Sequence, residues 1–405
     1  MPAKASGPLA GIKVIELAHI MAGPVCGLML ADMGADVIKV EKLPDGDDTR
    51  RMLPPAIDGE SAAFMILNRN KRGTCINLKK PGGKAVLEKL LASADVVIEN
   101  YRPGTMERLG LGYDALHKKN PGLIYCQVTG FGRTGPYADR AGFDLIAQGL
   151  SGIMSVTGEG AGRPPVKAGP PITDISAGIL AAMAVLAAYI HRLKTGEGQR
   201  VDTSLLEAGV TTTYWQSAIC LATGDSPGAI GTAHPLSAPY QAFPTSDGWI
   251  NVGAANQANW RRLVEVLEAP ELAEDGRFID NAARMKNLPA LIALLTTRLR
   301  TRTTTDWIAR LEAAGVPAGP VLSIGEMLKD PQVLARAMVV NVQHSRLGKM
   351  KTLGTPVKFS ATPGSVNRGA PLLGEHTREI LGEYGYTDAE IEGLIANGDV
   401  VAVQP

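Results

Sequence analysis

The 405-residue chain carries 41 Lys plus Arg against 40 Asp plus Glu, a formal net charge of +1, which argues against a nucleic-acid protein held by bulk charge. With 45% hydrophobic and 20% charged residues it reads as a folded globular chain of two or three domains, at roughly 100–200 residues each. Its 46 glycines and 5% aromatics favour close backbone packing and glycine-built loops, and its four cysteines (Cys26, Cys75, Cys126, Cys220) form no C-x-x-C pair, which excludes a zinc ribbon or thioredoxin-like motif and disfavours a secreted disulfide scaffold.

In chain order, GIKVIEL (11–17) is a short β-branched run and reads as a buried strand. Gly23-Pro24 opens a helix through CGLMLADMG, with Gly34 as its C-terminal stop. ADVIKVEKL (35–43) is the next strand, so the three pieces form a βαβ unit with a parallel sheet. The pattern recurs: a helix over 80–93, a strand over 94–100, a short helix over 113–119 and a strand over 123–130. Residues 1–150 therefore read as an open α/β layer. ISAGILAAMAVLAAYIHRL (175–193) is apolar nearly all round and is expected to be buried, with another subunit as a candidate cover. From about 223 to 250 the composition turns to Gly, Pro, Ser and Thr, which suggests a linker and loops entering a second domain. Helices follow over 255–330, then mixed strand and loop from 333 to the end. MPAKASGPLAG lacks the apolar core of a signal peptide, and the longest apolar run, 178–190, falls short of the ~20 residues that span a bilayer. A cytoplasmic protein is the expectation.

Few motifs carry chemistry by themselves. A literal G-x-G-x-x-G lies at Gly130, Gly132 and Gly135, but Pro136 follows where a dinucleotide site needs a helix start, so a plain glycine loop is expected. Lys42, Arg50, Arg51, Arg69, Lys71, Arg72, Lys79, Lys80, Arg102 and Arg108 gather near strand ends. They read either as a cradle for a small polyphosphate or as a solvated charged face. Asp174, in GPPITDISAGIL, is either a helix cap or a carboxylate poised as a nucleophile beside a helix end; Asp144 could equally be a cap. The six scattered histidines offer no metal-ligand spacing, so no metal is expected.

Several ordered segments together carry a family resemblance. PLAGIKVIELAHIMAGP, LADMGADVIKVEKL, NRNKRGTCINLK, DVVIENYRPGTMERLGLGY, TGFGRTGPYADRAGFDLIAQGLSG, TDISAG, KTGEGQRVD and PLLGEHTREIL resemble class III coenzyme A transferases, the CaiB/BaiF or formyl-CoA transferase family, from about residue 8 to residue 385. The resemblance implies an α/β fold: a Rossmann-like large domain, a smaller α/β domain and an interlocked-ring homodimer. The large CoA-binding domain would take residues 1–210, a linker 211–230, the small domain 231–325, and residues 326–405 would return to the large domain. It implies that Asp174 is the catalytic aspartate and that coenzyme A meets His19, Met21, Ala22, Lys42, Arg72, Ile76, Lys79, Asn100, Tyr101 and Arg108, with Asp144 close by. Met21 stands where formyl-CoA transferase has glutamine, which argues against oxalate as acceptor. GTAHPLSAPYQAF stands where that enzyme has a glycine-rich lid.

The implied reaction moves coenzyme A from an acyl-CoA, such as succinyl-CoA, to a free carboxylic acid, with a dicarboxylate expected as acceptor. Arg140, Arg163 and Lys167 are candidates to meet its second carboxylate. At an ordinary aspartate pKa near ~3.9, Asp174 would be ionised about a thousandfold over at pH 7 and need no general base. The nearest alternative is an α-methylacyl-CoA racemase of the same fold. That chemistry needs an acid/base pair from a G-H-D motif, and here the motif reads Gly142-Phe143-Asp144.

Overall fold

The computed structural model describes residues 7–160 and 162–403. They form two compact units: residues 7–152, 168–212 and 331–403 make the first, and 153–160, 162–167 and 213–330 the second.

The first unit is built on a parallel sheet. Its strands are β1 (Lys13–Leu17), β2 (Asp36–Lys42), β3 (Arg72–Ile76), β4 (Val96–Glu99), β5 (Ile124–Thr129) and β6 (Arg200–Ser204). Their order is β3-β2-β1-β4-β5-β6, and Val400–Val401 adds an antiparallel strand outside β3. Register is set by pairs such as Val14↔Val37, Ile15↔Val97 and Tyr125↔Arg200. Neighbouring residues on a strand point to opposite faces, so both faces must be covered when every position is apolar. Val14, Ile98 and Cys126 face one layer, with α1 (Ala22–Asp32) and, later in the chain, the long helix Ile172–Thr195. Ile15, Val97 and Tyr125 face the other, with α2 (Pro81–Ala92) and the tail residues Ile380, Leu381 and Ile391.

Three further helices place the site: α3 (Asp144–Leu150), α4 (Ile172–Thr195) and α5 (Leu205–Thr211). The expected elements are found with ends in place or shifted by up to four residues. α1 begins at Ala22 and stops at Asp32, with Gly34 taking the left-handed turn at φ +100°. Within this chain the long helix α4 is buried along one face. Ala177, Gly178, Ala181, Ala182, Val185 and Ala188 are buried, while Ile179, Met183, Ile190 and Leu193 are exposed on this chain. Its small residues make the packed stripe because α1 lies against it, and its larger apolar residues are left outward. By length and hydropathy α4 would also suffice to cross a membrane, although its window is 39% buried within this chain. The 13-residue run counted in the sequence is extended here by residues at both ends.

The second unit holds a three-stranded antiparallel sheet, with Trp249–Gly253 between Tyr240–Pro244 and Ala318–Pro320. Helices Gln257–Val266, Leu288–Leu299 and Thr304–Ala313 bury Trp260, Leu263, Leu291, Leu295, Leu299, Trp307 and Leu311 against Phe243 and Ile250. The fully buried Trp307 indole donates to the Leu299 carbonyl at 2.6 Å. Within the span expected as linker, Tyr214–Thr223 is a helix with no buried residue.

Candidate active site

β1 and β4 are adjacent, yet the chain leaves them in opposite directions along the sheet: β1 leads to β2 and β3, β4 to β5 and β6. Loops that part at such a point leave a crevice at the carboxyl ends of the strands. A cavity of about 260 Å³ lies there. His19, Ile20, Met21 and Ala22 follow β1; Asn100, Tyr101, Arg102 and Pro103 follow β4; Val128, Thr129 and Gly130 end β5. Arg140 to Phe143, Asp174 and Leu205 complete the wall.

Close backbone approaches assemble these walls. A Cβ on Gly178 would fall 2.6 Å from the Ala22 carbonyl oxygen and from Val25 Cβ, so glycine lets α4 settle on the first turn of α1. Asp174 is one turn before Gly178 and on the same face of α4, which brings it over Met21 and Ala22. A Cβ on Gly130 would meet Gly142 Cα at 2.7 Å, so the 140–143 loop can cross the end of β5 only through this glycine pair. The stretch 130–135 is loop, with Gly132 and Gly135 at φ +89°, as the missing helix start implies. Asn100 fastens the two strand-end loops together: Oδ1 accepts from His19 N–H at 2.9 Å, and Nδ2 donates to the His19 carbonyl at 2.8 Å.

Neither capping expectation holds in its simple form. α4 begins at Ile172, and its Thr173 N–H is taken by Asp144 Oδ1 at 3.0 Å, from the first turn of α3. Asp144 also accepts from Thr173 Oγ1 at 2.7 Å and from Gln148 Nε2 at 2.7 Å. It thus caps α4 from another helix, and among the described residues the Asp174 carboxylate is uncommitted. Burial pushes the Asp174 carboxyl up to about 7, and the Asp144 carboxylate adds to the rise. The expectation of a fully ionised carboxylate is corrected here: it held for an exposed aspartate, and this one is desolvated next to a like charge. Near neutral pH about half of the empty sites carry a proton, and the ionised form is a more basic nucleophile than a solvated carboxylate.

The residues expected to meet coenzyme A fall into two groups. His19, Met21, Ala22, Asn100 and Tyr101 line the cavity with Asp174. Lys42 lines a second hollow of about 210 Å³ that shares His19 and Tyr101 with the first, and its ammonium pairs with Asp48 at 2.9 Å. The structure does not bring the others to the cavity wall. Arg72 is committed to Asp36, Glu379 and Glu383 and ties the C-terminal tail to β3. Ile76 is buried in the core beneath the sheet, Lys79 and Arg108 are exposed, and Asp144 holds Thr173. Much of the basic cluster is neither cradle nor solvated face. Arg69 pairs with buried Asp32, Lys71 with buried Glu16, and Arg50 with Glu41 through two hydrogen bonds of 2.7 Å.

Residue-level reading missed Ile20, Thr129 and Leu205, took Gly130 as a plain loop glycine and Phe143 only as a replacement for a proton-transferring histidine, and gave Arg102 only as one basic residue among many. The usable signal was topological, because a strand that pairs next to a switch point contributes its carboxyl end to the crevice. Arg140 lies on the wall with its guanidinium 3.8 Å above the Tyr137 ring. Arg163 and Lys167 belong to the second unit and are exposed. Among the described residues no group of three His, Cys, Asp or Glu side chains is placed to hold a metal ion.

Comparison with known proteins adds a chemical class to this geometry. The family model described as CoA-transferase family III matches residues 9–377. A succinate–glutarate CoA-transferase of Agrobacterium fabrum is 43% identical over 382 residues, covering 93% of this chain and 95% of that protein. A human succinyl-CoA:glutarate CoA-transferase is 39% identical over 394 residues, covering 97% and 90%. The crystal structure of a CaiB/BaiF family protein from Brucella suis superposes with a TM-score of 0.84 at 42% identity, covering 94% of this chain and all of that one.

Proposed function

The chain belongs to CoA-transferase family III, and from that premise we propose that it moves coenzyme A from succinyl-CoA to a dicarboxylic acid through a covalent aspartyl-CoA on Asp174. The observation that carries the reading is the position of Asp174: an uncommitted, desolvated carboxylate on the wall of the switch-point cavity. The relatives named above act between succinyl-CoA or succinate and glutarate, which supports a five-carbon dicarboxylate as acceptor.

Each step follows from a carboxylate in a dry site. The ionised Asp174 attacks the donor thioester carbonyl, and the tetrahedral adduct expels coenzyme A as thiolate, leaving a mixed succinyl–aspartyl anhydride. The thiolate returns to the aspartyl carbonyl, releases succinate and leaves the aspartyl-CoA thioester. The acceptor carboxylate attacks that thioester, breaks its C–S bond to release the thiolate again, and gives a second anhydride. Thiolate attack on its acceptor carbonyl then yields the new acyl-CoA and regenerates Asp174. A thiol pKa of roughly 8–9 lets the thiolate leave without a strong acid. Exclusion of water protects the anhydrides.

His19, Met21, Ala22, Asn100 and Tyr101 are the residues proposed to meet coenzyme A, with Lys42 at the far end of the second hollow. Arg140 is proposed to meet the second carboxylate of the acceptor. Phe143 on the wall cannot transfer a proton and Asp144 is tied to Thr173, which argues against α-proton exchange. The reading extends to a large domain over 1–210 and 326–405, a small domain over 231–325, a cytoplasmic location and an interlocked homodimer. The exposed Ile179, Met183, Ile190 and Leu193 on α4 support a second copy as its cover.

Incubation with succinyl-CoA and a panel of acids, read by mass spectrometry, tests the reading. A new acyl-CoA with one equivalent of free succinate is expected, with the enzyme heavier by one coenzyme A less one water when the acceptor is withheld. No exchange with any acid would overturn it.

A further inference from the structure

The loop between β1 and α1 is held by its backbone. Ala18, His19 and Ile20 are gripped in succession, and two of the grips come from below through buried charge. Lys39, on β2, is fully buried, and its ammonium donates to the Ala18 carbonyl at 2.8 Å. The same ammonium lies 2.8 Å from Asp47 Oδ2 and 3.0 Å from Glu16 Oε1. The other oxygen of Asp47 accepts from Ile20 N–H at 3.0 Å, and also from Thr49 N–H and Oγ1. Asn100 takes both backbone groups of His19 between them.

Ile20 itself sits at φ +66°. A β-branched residue in the left-handed region is unusual and strained, so it persists only where its surroundings impose it. Here the imposing contacts are the amide grip of Asp47 and the flanking grips on residues 18 and 19. The conformation turns Ile20, Met21 and Ala22 into the cavity wall. The opposite end of the buried cluster is anchored by Lys71, which reaches Glu16 Oε2 at 2.8 Å, the Pro24 carbonyl at 2.9 Å and Asn68 Oδ1 at 2.9 Å.

We propose that Lys39 and Asp47 are positioning residues for coenzyme A: the buried ammonium and carboxylate together hold the 18–20 backbone in the strained form that shapes the thioester-binding wall. The inference rests on the reading of this cavity as the coenzyme A site. Lys39 is fully buried, and Asp47, which also borders the second hollow, gives Oδ1 to the Ile20 N–H and Oδ2 to the Lys39 ammonium. Their role is exercised through the loop, so the consequence of losing them falls on affinity for the acyl-CoA and not on the acceptor.

The test uses the full-length protein and free coenzyme A as probe. Asp47→Ala removes the grip on Ile20 and the partner of Lys39; Asp47→Asn keeps an acceptor for Ile20 N–H but removes the charge. Asp32→Asn, which weakens a buried pair with Arg69 away from the loop, reports ordinary destabilisation. The expected result is a coenzyme A Kd raised on the order of tenfold in Asp47→Ala and by about threefold in Asp47→Asn, taking one net hydrogen bond as tenfold in affinity. The KM for succinyl-CoA should rise with it, while the acceptor KM and the kcat at saturation stay within about twofold. Asp32→Asn should lower the melting temperature and leave Kd unchanged. If Asp47→Ala fails to fold, Asp47→Asn carries the same comparison. A folded Asp47 variant with wild-type Kd and KM, or a Kd raised equally in Asp32→Asn, overturns the inference. An unaltered protein that binds coenzyme A in an Asp47-dependent way but exchanges none supports the inference while the transferase reading fails.

Discussion

Asp47 and Asp174 are both largely buried aspartates of the same unit, and they respond to burial in opposite ways. Asp47 faces the Lys39 ammonium and backbone N–H groups of Ile20 and Thr49, and its carboxyl is held well below the usual carboxylate range despite its desolvation. Among the described residues Asp174 has no cation against it and the Asp144 carboxylate nearby, and its carboxyl rises to about 7. Burial sets how strongly neighbours are felt; the partners set the sign. One arrangement makes a rigid strut and the other an ionisable group of raised pKa; Asp174 lies on the wall of the first cavity and Asp47 on that of the adjoining hollow.

The largest expected effect separates the two roles. Asp174→Ala should abolish exchange, a loss of at least about a thousandfold in kcat for a deleted covalent nucleophile, with a normal far-ultraviolet spectrum; near-normal turnover would remove Asp174 from the mechanism. Stability should move the other way at the two positions. Asp47→Ala takes from the buried Lys39 one of its two carboxylate partners, Glu16 remaining at 3.0 Å, strips the Ile20 and Thr49 N–H groups of their acceptor, and should cost about 3–5 kcal/mol at pH 7 by chemical denaturation. A raised folded pKa means that the native state keeps a proton which the unfolded chain has lost. Asp174 therefore contributes stability below about pH 4 that disappears as pH rises through about 7. Asp174→Asn should accordingly be more stable than the parent at pH 8, on the order of 2–4 kcal/mol, and indistinguishable from it near pH 4. Equal denaturation midpoints at pH 8 would mean that Asp174 is solvated.

Much of this crevice could be read from residues alone, for identifiable reasons. β-Branched runs separated by amphipathic helices announce a parallel sheet, and a lone Asp in TDISAG resembles a family nucleophile. Lys42, Arg72 and Lys79 show the limit. Charge near a strand end reads the same whether the side chain turns to a ligand, to solvent or to acids distant in sequence. Arg72 is satisfied by Glu379 and Glu383, more than 300 residues away, and no local pattern announces that. The Asp174 carboxyl was misjudged because an exposed reference was applied to a group that α1, α3 and α4 together desolvate. Asp144 looked like a cap for its own helix and serves another. What escaped the sequence is in each case a long-range partner.

A smaller effect sharpens the comparison, because it converts one arrangement toward the other. With Asp174 near 7, the kcat/KM for succinyl-CoA should rise with pH and level off above about 7.5, since only the ionised carboxylate attacks. Asp144→Asn removes the like charge while retaining an oxygen that can accept from Thr173 N–H and Oγ1, so the cap on α4 is kept. Desolvation, the larger cause, stays. The midpoint of the profile should therefore move down by only part of the shift, roughly half a unit to one unit, while the plateau rate falls slightly because a less basic carboxylate is a weaker nucleophile. A midpoint that does not move would assign the whole shift to burial. A midpoint that drops to the ordinary aspartate range would show that the Asp144 charge, not the dry wall, keeps Asp174 protonated.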